Sequence, residues 1–135
     1  IDKAIVVSNP EVSAIRDNDR TIGLLTSKQE LSYNNINLVI NRYKEKAVKR
    51  GDMLDVENVK ELLAVDLLGV IYDDDNIIIS NNQGLSVTDM KKPTASKNYM
   101  NTAKRLLGEE VPYIYKEETK NSFFGRLKSI ANLSF

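Results

Sequence analysis

Ala4-Ile5-Val6-Val7-Ser8-Asn9-Pro10-Glu11-Val12-Ser13-Ala14-Ile15 is the stretch that decides the fold class. Ala4 to Val7 is apolar without polar alternation, the pattern of a strand buried on both faces of a parallel α/β sheet. Asn9 is placed to cap a helix, with Pro10 at the first helical position, where a missing N–H costs nothing. Glu11 then sets a negative charge in the first turn, where the helix dipole favours it. Val12, Ile15, Ile22 and Leu25 recur at helical spacing and predict an inner face. Ser13, Asp17, Arg20 and Leu24 form a second stripe on another side. A strand that feeds a capped helix is a βα unit, and such units place function at the carboxyl end of the strand.

The same alternation continues outward from that unit. Lys28 to Asn35 is a polar connector, and Ile36 to Asn41 reads as a second strand ending in Asn41-Arg42-Tyr43. A basic stretch from Lys44 to Arg50 leads to a turn at Gly51-Asp52. Asp55 is placed to cap a second helix whose buried face is Val56, Val59, Leu62 and Leu63. Leu67 to Tyr72 is a third buried strand, ended by Asp73-Asp74-Asp75. Ile77-Ile78-Ile79 forms a brief apolar patch before a turn at Asn81-Asn82-Gln83-Gly84. Thr94 or Ser96 caps a third helix, with Tyr99, Ala103, Leu106 and Leu107 expected inward. Three strands alternating with three helices imply α/β architecture, a partial doubly wound parallel sheet.

Composition narrows the chemistry. With 135 residues the chain is one domain, large enough for its own core. Its 19 basic and 19 acidic residues cancel, so no global charge announces a nucleic-acid partner. Lys91, Lys92, Lys97, Lys104 and Arg105 have no interleaved aromatic platform and read as solvated, and no nucleic acid is expected. The absence of cysteine excludes disulfides and thiolate metal sites; the absence of histidine removes the commonest general base and zinc ligand. No apolar run approaches membrane-spanning length, and no signal-peptide pattern is present. The chain starts at Ile1, almost inside its first strand, which suggests a fragment.

The last stretch carries the strongest local signal. With Ser122 as a cap, Phe123, Phe124, Leu127, Ile130 and Ala131 share one sector of a helical wheel, flanked by Arg126 and Lys128. From Lys120 to Phe135 there are three cations and no anion. A core-facing terminal helix is the commoner fate of such spacing; the one-signed charge, the two adjacent Phe and the position after the polar connector Lys116 to Asn121 favour a membrane surface.

Several segments resemble, in order and at similar spacing, the C-terminal half of the MinD/ParA family of deviant P-loop ATPases. They are Ser8 to Arg20, Asn41-Arg42-Tyr43, Arg50-Gly51-Asp52-Met53, Leu67 to Ile71, Arg105 to Pro112 and Ser122 to Lys128. The resemblance implies half of a P-loop NTPase-like domain over 1–115, then a linker and an amphipathic membrane-targeting helix over 116–135. It implies a family activity of ATP-dependent dimerisation, membrane binding and recruitment of division regulators that position the septum, with ATP and Mg²⁺ as cofactors. It also implies site residues. Asn41, Arg42, Asp73 and Asp74 would lie at the adenine base, where a side-chain amide can both donate and accept. Glu11, Ser13, Asp17 and Asp19 would meet regulators of the MinC and MinE type. Phe123, Phe124, Arg126, Leu127, Lys128 and Ile130 would enter an anionic membrane. The complete protein would be a homodimer, cytoplasmic and peripheral on the inner face of the cell membrane.

No catalytic residue and no metal ligand is assigned to this chain. The family's phosphate loop, switch regions and magnesium ligands lie before the matched part, and no Gly-x-x-x-x-Gly-Lys-[Ser/Thr] occurs among the 135 residues. The chain also departs from the family pattern. Tyr72-Asp73-Asp74 replaces a usual Pro-Glu-Asp, Gly84-Leu85-Ser86 replaces Gly-Glu-Pro, and the usual Ala-Gly is missing at Ser96-Lys97. Read without the resemblance, Glu11 to Asp19 is a capped, solvated helix start, and Asn41 is a strand-ending amide that bonds its own turn. Asp73-Asp74-Asp75 is then a solvated turn and a poor magnesium site. Two alternatives stay open: a non-enzymatic α/β adaptor on a membrane surface, and a chromosome-partitioning ParA-like relative, which would lack the terminal amphipathic helix and be more basic.

Overall fold

The computed structural model describes residues 2–28, 31–74, 81–84 and 94–113. Three strands form one parallel sheet in the order β1 (Ala4–Ser8), β2 (Ile36–Tyr43), β3 (Asp66–Tyr72). The helices are α1 (Val12–Lys28), α2 (Glu45–Arg50), α3 (Val56–Leu63) and α4 (Thr94–Leu106), with a short 3₁₀ turn at Tyr33–Asn35. The expected α/β sheet is therefore present, with each strand joined to the next through helical crossovers.

Alternation along β2 divides the interior in two. Ile36, Leu38 and Ile40 join Ile15 and Ile22 of α1 and Val56, Val59 and Leu63 of α3 in the main core. Val39 faces the other way, into a smaller cluster with Leu68 and Ile71 of β3 and Ala95 of α4. Helices thus cover both faces, as in a doubly wound sheet. Each fully buried Ile or Leu contributes roughly 1.5–3 kcal/mol of transfer free energy, so the main core dominates stability.

Several local expectations are corrected. β1 is buried on one face only: Val6 and Ser8 are inside, but Ile5 and Val7 are 47% and 56% exposed. The reason is position, since among the described residues β1 is at the edge of the sheet and α4 packs over β3, two strands away. Helix α1 begins two residues later than Asn9 and Pro10 suggested. The Ile15 N–H bonds the Glu11 carbonyl at 3.0 Å, while Pro10 is buried and its carbonyl accepts from the Leu54 N–H at 2.9 Å. Val12, at the helix start, is consequently exposed rather than inward. The basic stretch after Lys44 is helix α2, which ends on Gly51 in the left-handed region at φ 82°. Asp55 caps α3 as expected, its Oδ1 accepting from the Asn58 N–H at 2.8 Å, but Leu62 points outward. Leu31, in the supposedly polar connector, is buried in the main core.

The largest correction concerns α4. Tyr99, Ala103, Leu106 and Leu107 are exposed, and the helix turns a polar face to the sheet. Asn98 and Asn101 are buried; the Asn98 Oδ1 accepts from the Tyr72 N–H at 3.1 Å, and Arg105 Nη1 donates to the Leu68 carbonyl at 3.2 Å. Two features of β3 permit this. The β2–β3 register slips between Leu38 and Val39, so that Leu67 pairs with Leu38 and Gly69 with Val39. Gly69 leaves room for α4: a Cβ there would collide with Thr102 Oγ1 and stand 2.8 Å from its Cγ2. Arg105 was expected in solvent. Instead its guanidinium also donates to the Val111 and Pro112 carbonyls, at 3.0 and 3.2 Å, and lies 3.6 Å over the Tyr113 ring. Tyr113 donates in turn to the Leu67 carbonyl at 2.8 Å. Helix α4 begins at Thr94, which puts both expected caps, Thr94 and Ser96, inside the helix, and the Asp74 carboxylate accepts from the Ala95 N–H at 3.1 Å.

A candidate base and partner site

The carboxyl ends of β2 and β3 meet in an open cleft of about 340 Å³ lined by Tyr43, Lys44, Glu45, Lys46, Arg50, Tyr72 and Asp73. Its shape comes from a second irregularity. Between Ile40 and Tyr43 the β2–β3 register shifts, and Arg42 takes φ 56°, a left-handed conformation uncommon for a residue other than glycine. Such a bulge costs of order 1 kcal/mol and re-aims the side chains beside it. Asn41 is partly buried and Arg42 exposed at this turn.

Asp73 ties the two strand ends together. Its N–H donates to the Tyr43 carbonyl at 2.9 Å, and its carboxylate receives Lys44 Nζ at 2.9 Å and faces Arg42 Nε at 3.8 Å. The two cations are more than half exposed, so these pairs orient the loop and add little stability. Tyr43 and Tyr72 pack edge-to-face, with ring centroids 5.4 Å apart at 84°. Burial pushes the Tyr43 hydroxyl up to about 12, with Asp55 and Glu45 adding in the same direction and the Val56 backbone opposing.

The structure therefore brings Arg42 and Lys44 to Asp73, while Asn41 precedes the bulge and is not among the residues lining the cleft. Asp74 stands beside them, but its carboxylate is engaged at the start of α4. The Asp73-Asp74 pair is thus more tied down than the solvated turn read from sequence. Tyr43, Lys44 and Tyr72 received no role from sequence; the only available signal was that Tyr43 follows Asn41-Arg42 at a strand end. Among the described residues no three His, Asp or Glu side chains gather as a metal site.

Glu11, just before α1, and Ser13, Asp17 and Asp19 on it are all exposed. Ser13 and Asp17 share a stripe with Arg20 and Leu24, the last 48% exposed. Asp19 does not join it, since six residues past Ser13 is about 240° around the helix. The tail residues Phe123, Phe124, Arg126, Leu127, Lys128 and Ile130, with Asp75, Ile77 to Ile79, Lys91 and Lys92, lie outside the described residues, as does the boundary near 115.

No family model matches this chain. Individual proteins do. Septum site-determining protein MinD of Bacillus subtilis is 43% identical over 128 residues, 95% of this chain and 47% of the relative. Among solved structures, MinD of Aquifex aeolicus superposes with a TM-score of 0.74 at 43% identity, covering 82% of this chain and 46% of that one. The Aquifex MinC:MinD complex gives 0.77 at 41% identity, covering 83% and 45%. The chain spans about half the length of the relatives it matches. Neither the adaptor nor the partitioning relative is favoured by these likenesses. Sequence agrees over 95% of the chain and fold over 82–83%, so the chain is a partial MinD homologue.

Proposed function

We propose that this chain supplies the base-binding and partner-binding half of a MinD-like ATPase that positions the division septum. The observation that carries this reading is the cleft at the ends of β2 and β3, lined by Tyr43, Tyr72 and Asp73, with the Arg42 bulge just before it in the chain. A site at the carboxyl ends of parallel strands is where this architecture binds nucleotides. The chain's residues fit the base: the Asn41 amide can pair with an adenine edge, and the Tyr43–Tyr72 pair gives the cleft an aromatic floor. They do not fit Mg²⁺, whose ligands the other half of the protein would provide with the phosphate loop. ATP there would supply the bond whose hydrolysis resets a homodimer. Asp73, held by Lys44, keeps the loop after β3 against the Tyr43 carbonyl and so shapes the cleft.

The Ser13–Asp17 stripe of α1 would be the face offered to a MinC-type partner, and to a MinE-type factor in turn. Asp17→Ala removes an exposed charge and should change stability by less than about 0.5 kcal/mol. In the complete protein it should weaken MinC binding about fivefold while ATP binding is retained. Calorimetric titration with MinC reads this directly; unchanged MinC affinity, or a variant that fails to fold, contradicts the assignment of that face.

The tail would hold the protein on the inner face of the cell membrane as a peripheral protein. Phe124→Glu places a charge within the apolar sector and should lower partitioning onto anionic vesicles by about tenfold or more, without altering thermal unfolding of the sheet domain. Equal co-sedimentation of variant and wild type would remove the tail from this role.

A further inference from the structure

Four of the ten exposed large hydrophobic residues of the described chain come from α4 and the residue after it: Tyr99, Met100, Leu106 and Leu107. They are not scattered. With Ala103 they occupy positions i, i+1, i+4, i+7 and i+8, a sector of roughly 120° on a helical wheel. Leu107 still belongs to that surface, because its N–H bonds the Ala103 carbonyl at 3.1 Å; its side chain is 82% exposed. Lys97 and Lys104, both exposed, flank the sector on one side. From Thr94 to Leu106 there is no acidic residue. The opposite face is fixed to β3 by Asn98 and Arg105, so the helix cannot roll to bury its apolar stripe without breaking those bonds.

An apolar stripe with a tyrosine, bordered by lysines and free of anions, is the chemistry of a helix lying in the interface of an anionic bilayer. Glu109 and Glu110 follow, but only after Gly108, whose φ of 94° turns the chain out of the helical path. We infer that α4 is itself a lipid-contacting surface, its Tyr99–Leu107 stripe resting on an anionic membrane with Lys97 and Lys104 reaching headgroup phosphates. This contact is separate from the tail and stands on different residues.

The chain has no tryptophan, so Leu107→Trp installs a single reporter at a solvent-facing position. In the full chain its emission should shift to the blue on phosphatidylglycerol vesicles, be quenched by brominated lipid, and stay unshifted with phosphatidylcholine. The pair Lys97→Glu and Lys104→Glu should lower partitioning onto the same vesicles by roughly tenfold. An unshifted tryptophan in protein that co-sediments overturns the inference, because the tail then holds the membrane alone. So does a failure to co-sediment at all. A shift that grows with protein concentration without lipid overturns it in favour of a second copy of the chain. Adding Phe124→Glu to the Leu107→Trp protein tests the tail separately: retained binding and shift support α4 and remove the tail, whereas a shift lost only in that background supports both.

Discussion

Gly69→Ala should destabilise the domain by about 2–3 kcal/mol, although alanine suits a strand at least as well as glycine. The added Cβ would meet Thr102 Oγ1, Cγ2 and Cβ, the last two at 2.8 and 2.9 Å. Thr102 cannot swing aside freely, because its hydroxyl donates to the Asn98 carbonyl at 2.8 Å. Helix α4 must therefore back away from β3. That movement weakens the Asn98 bond to Tyr72 and the Arg105 bond to Leu68, each worth about 1 kcal/mol or more when buried groups are left behind. Thr102→Gly removes all three clashing atoms, so the double variant should recover at least about 1 kcal/mol relative to the sum of the single changes. Urea unfolding of the four proteins completes the cycle. Additive losses would mean that α4 does not approach β3 as closely as described.

The second large effect is alkaline. The Tyr43 hydroxyl titrates at about 12 in the folded chain against about 10 in the unfolded one. A raised value means that the folded state holds the proton more tightly. Tyr43's contribution is whole below pH 10 and is lost as pH climbs through 12, a loss on the order of 2–3 kcal/mol. Burial is the main cause, and Asp55 and Glu45 further disfavour a phenolate beside them. Burial raises Tyr113 in the same sense, with Arg105 opposing, so wild type alone cannot assign the effect. Tyr43→Phe isolates it: the variant should show a markedly shallower fall in stability between pH 10 and 12. A parallel fall in both proteins would take Tyr43 out of the buried position.

These two residues show what was legible in the sequence and what was not. The strands were legible because their central residues, Leu38 to Ile40 of β2 and Leu68 to Ile71 of β3, are buried on both faces and therefore apolar without interruption. The α3 cap was legible because Asp55 acts on an N–H three residues away. Periodicity located the apolar stripe of α4 but not its direction, since a stripe at helical spacing looks alike whether it meets a sheet or solvent. The direction was set by Gly69 and by hydrogen bonds spanning 26 and 37 residues, which no local window contains. Ile5 and Val7 failed for a similar reason, because edge position is a property of the sheet and not of the strand. At the candidate site, Asn41, Arg42 and Asp73 were named only through the family likeness, and of these Asp73 lines the cleft and Arg42 faces it. Tyr43, Lys44 and Tyr72 emerged only when the strand ends were brought together.

The central proposal is that this chain is the base-and-partner half of a MinD-like ATPase, and a chimera tests it most directly. The chain would replace the matching part of Bacillus subtilis MinD, leaving that protein's remaining half in place, and Mg²⁺-dependent ATP hydrolysis would be measured beside each half alone. Hydrolysis by the chimera, its loss or strong weakening of ATP affinity with Asn41→Ala, and no turnover by the isolated chain are the predicted results. A chimera that folds cooperatively yet binds no ATP, or turnover by the isolated chain, would contradict the account.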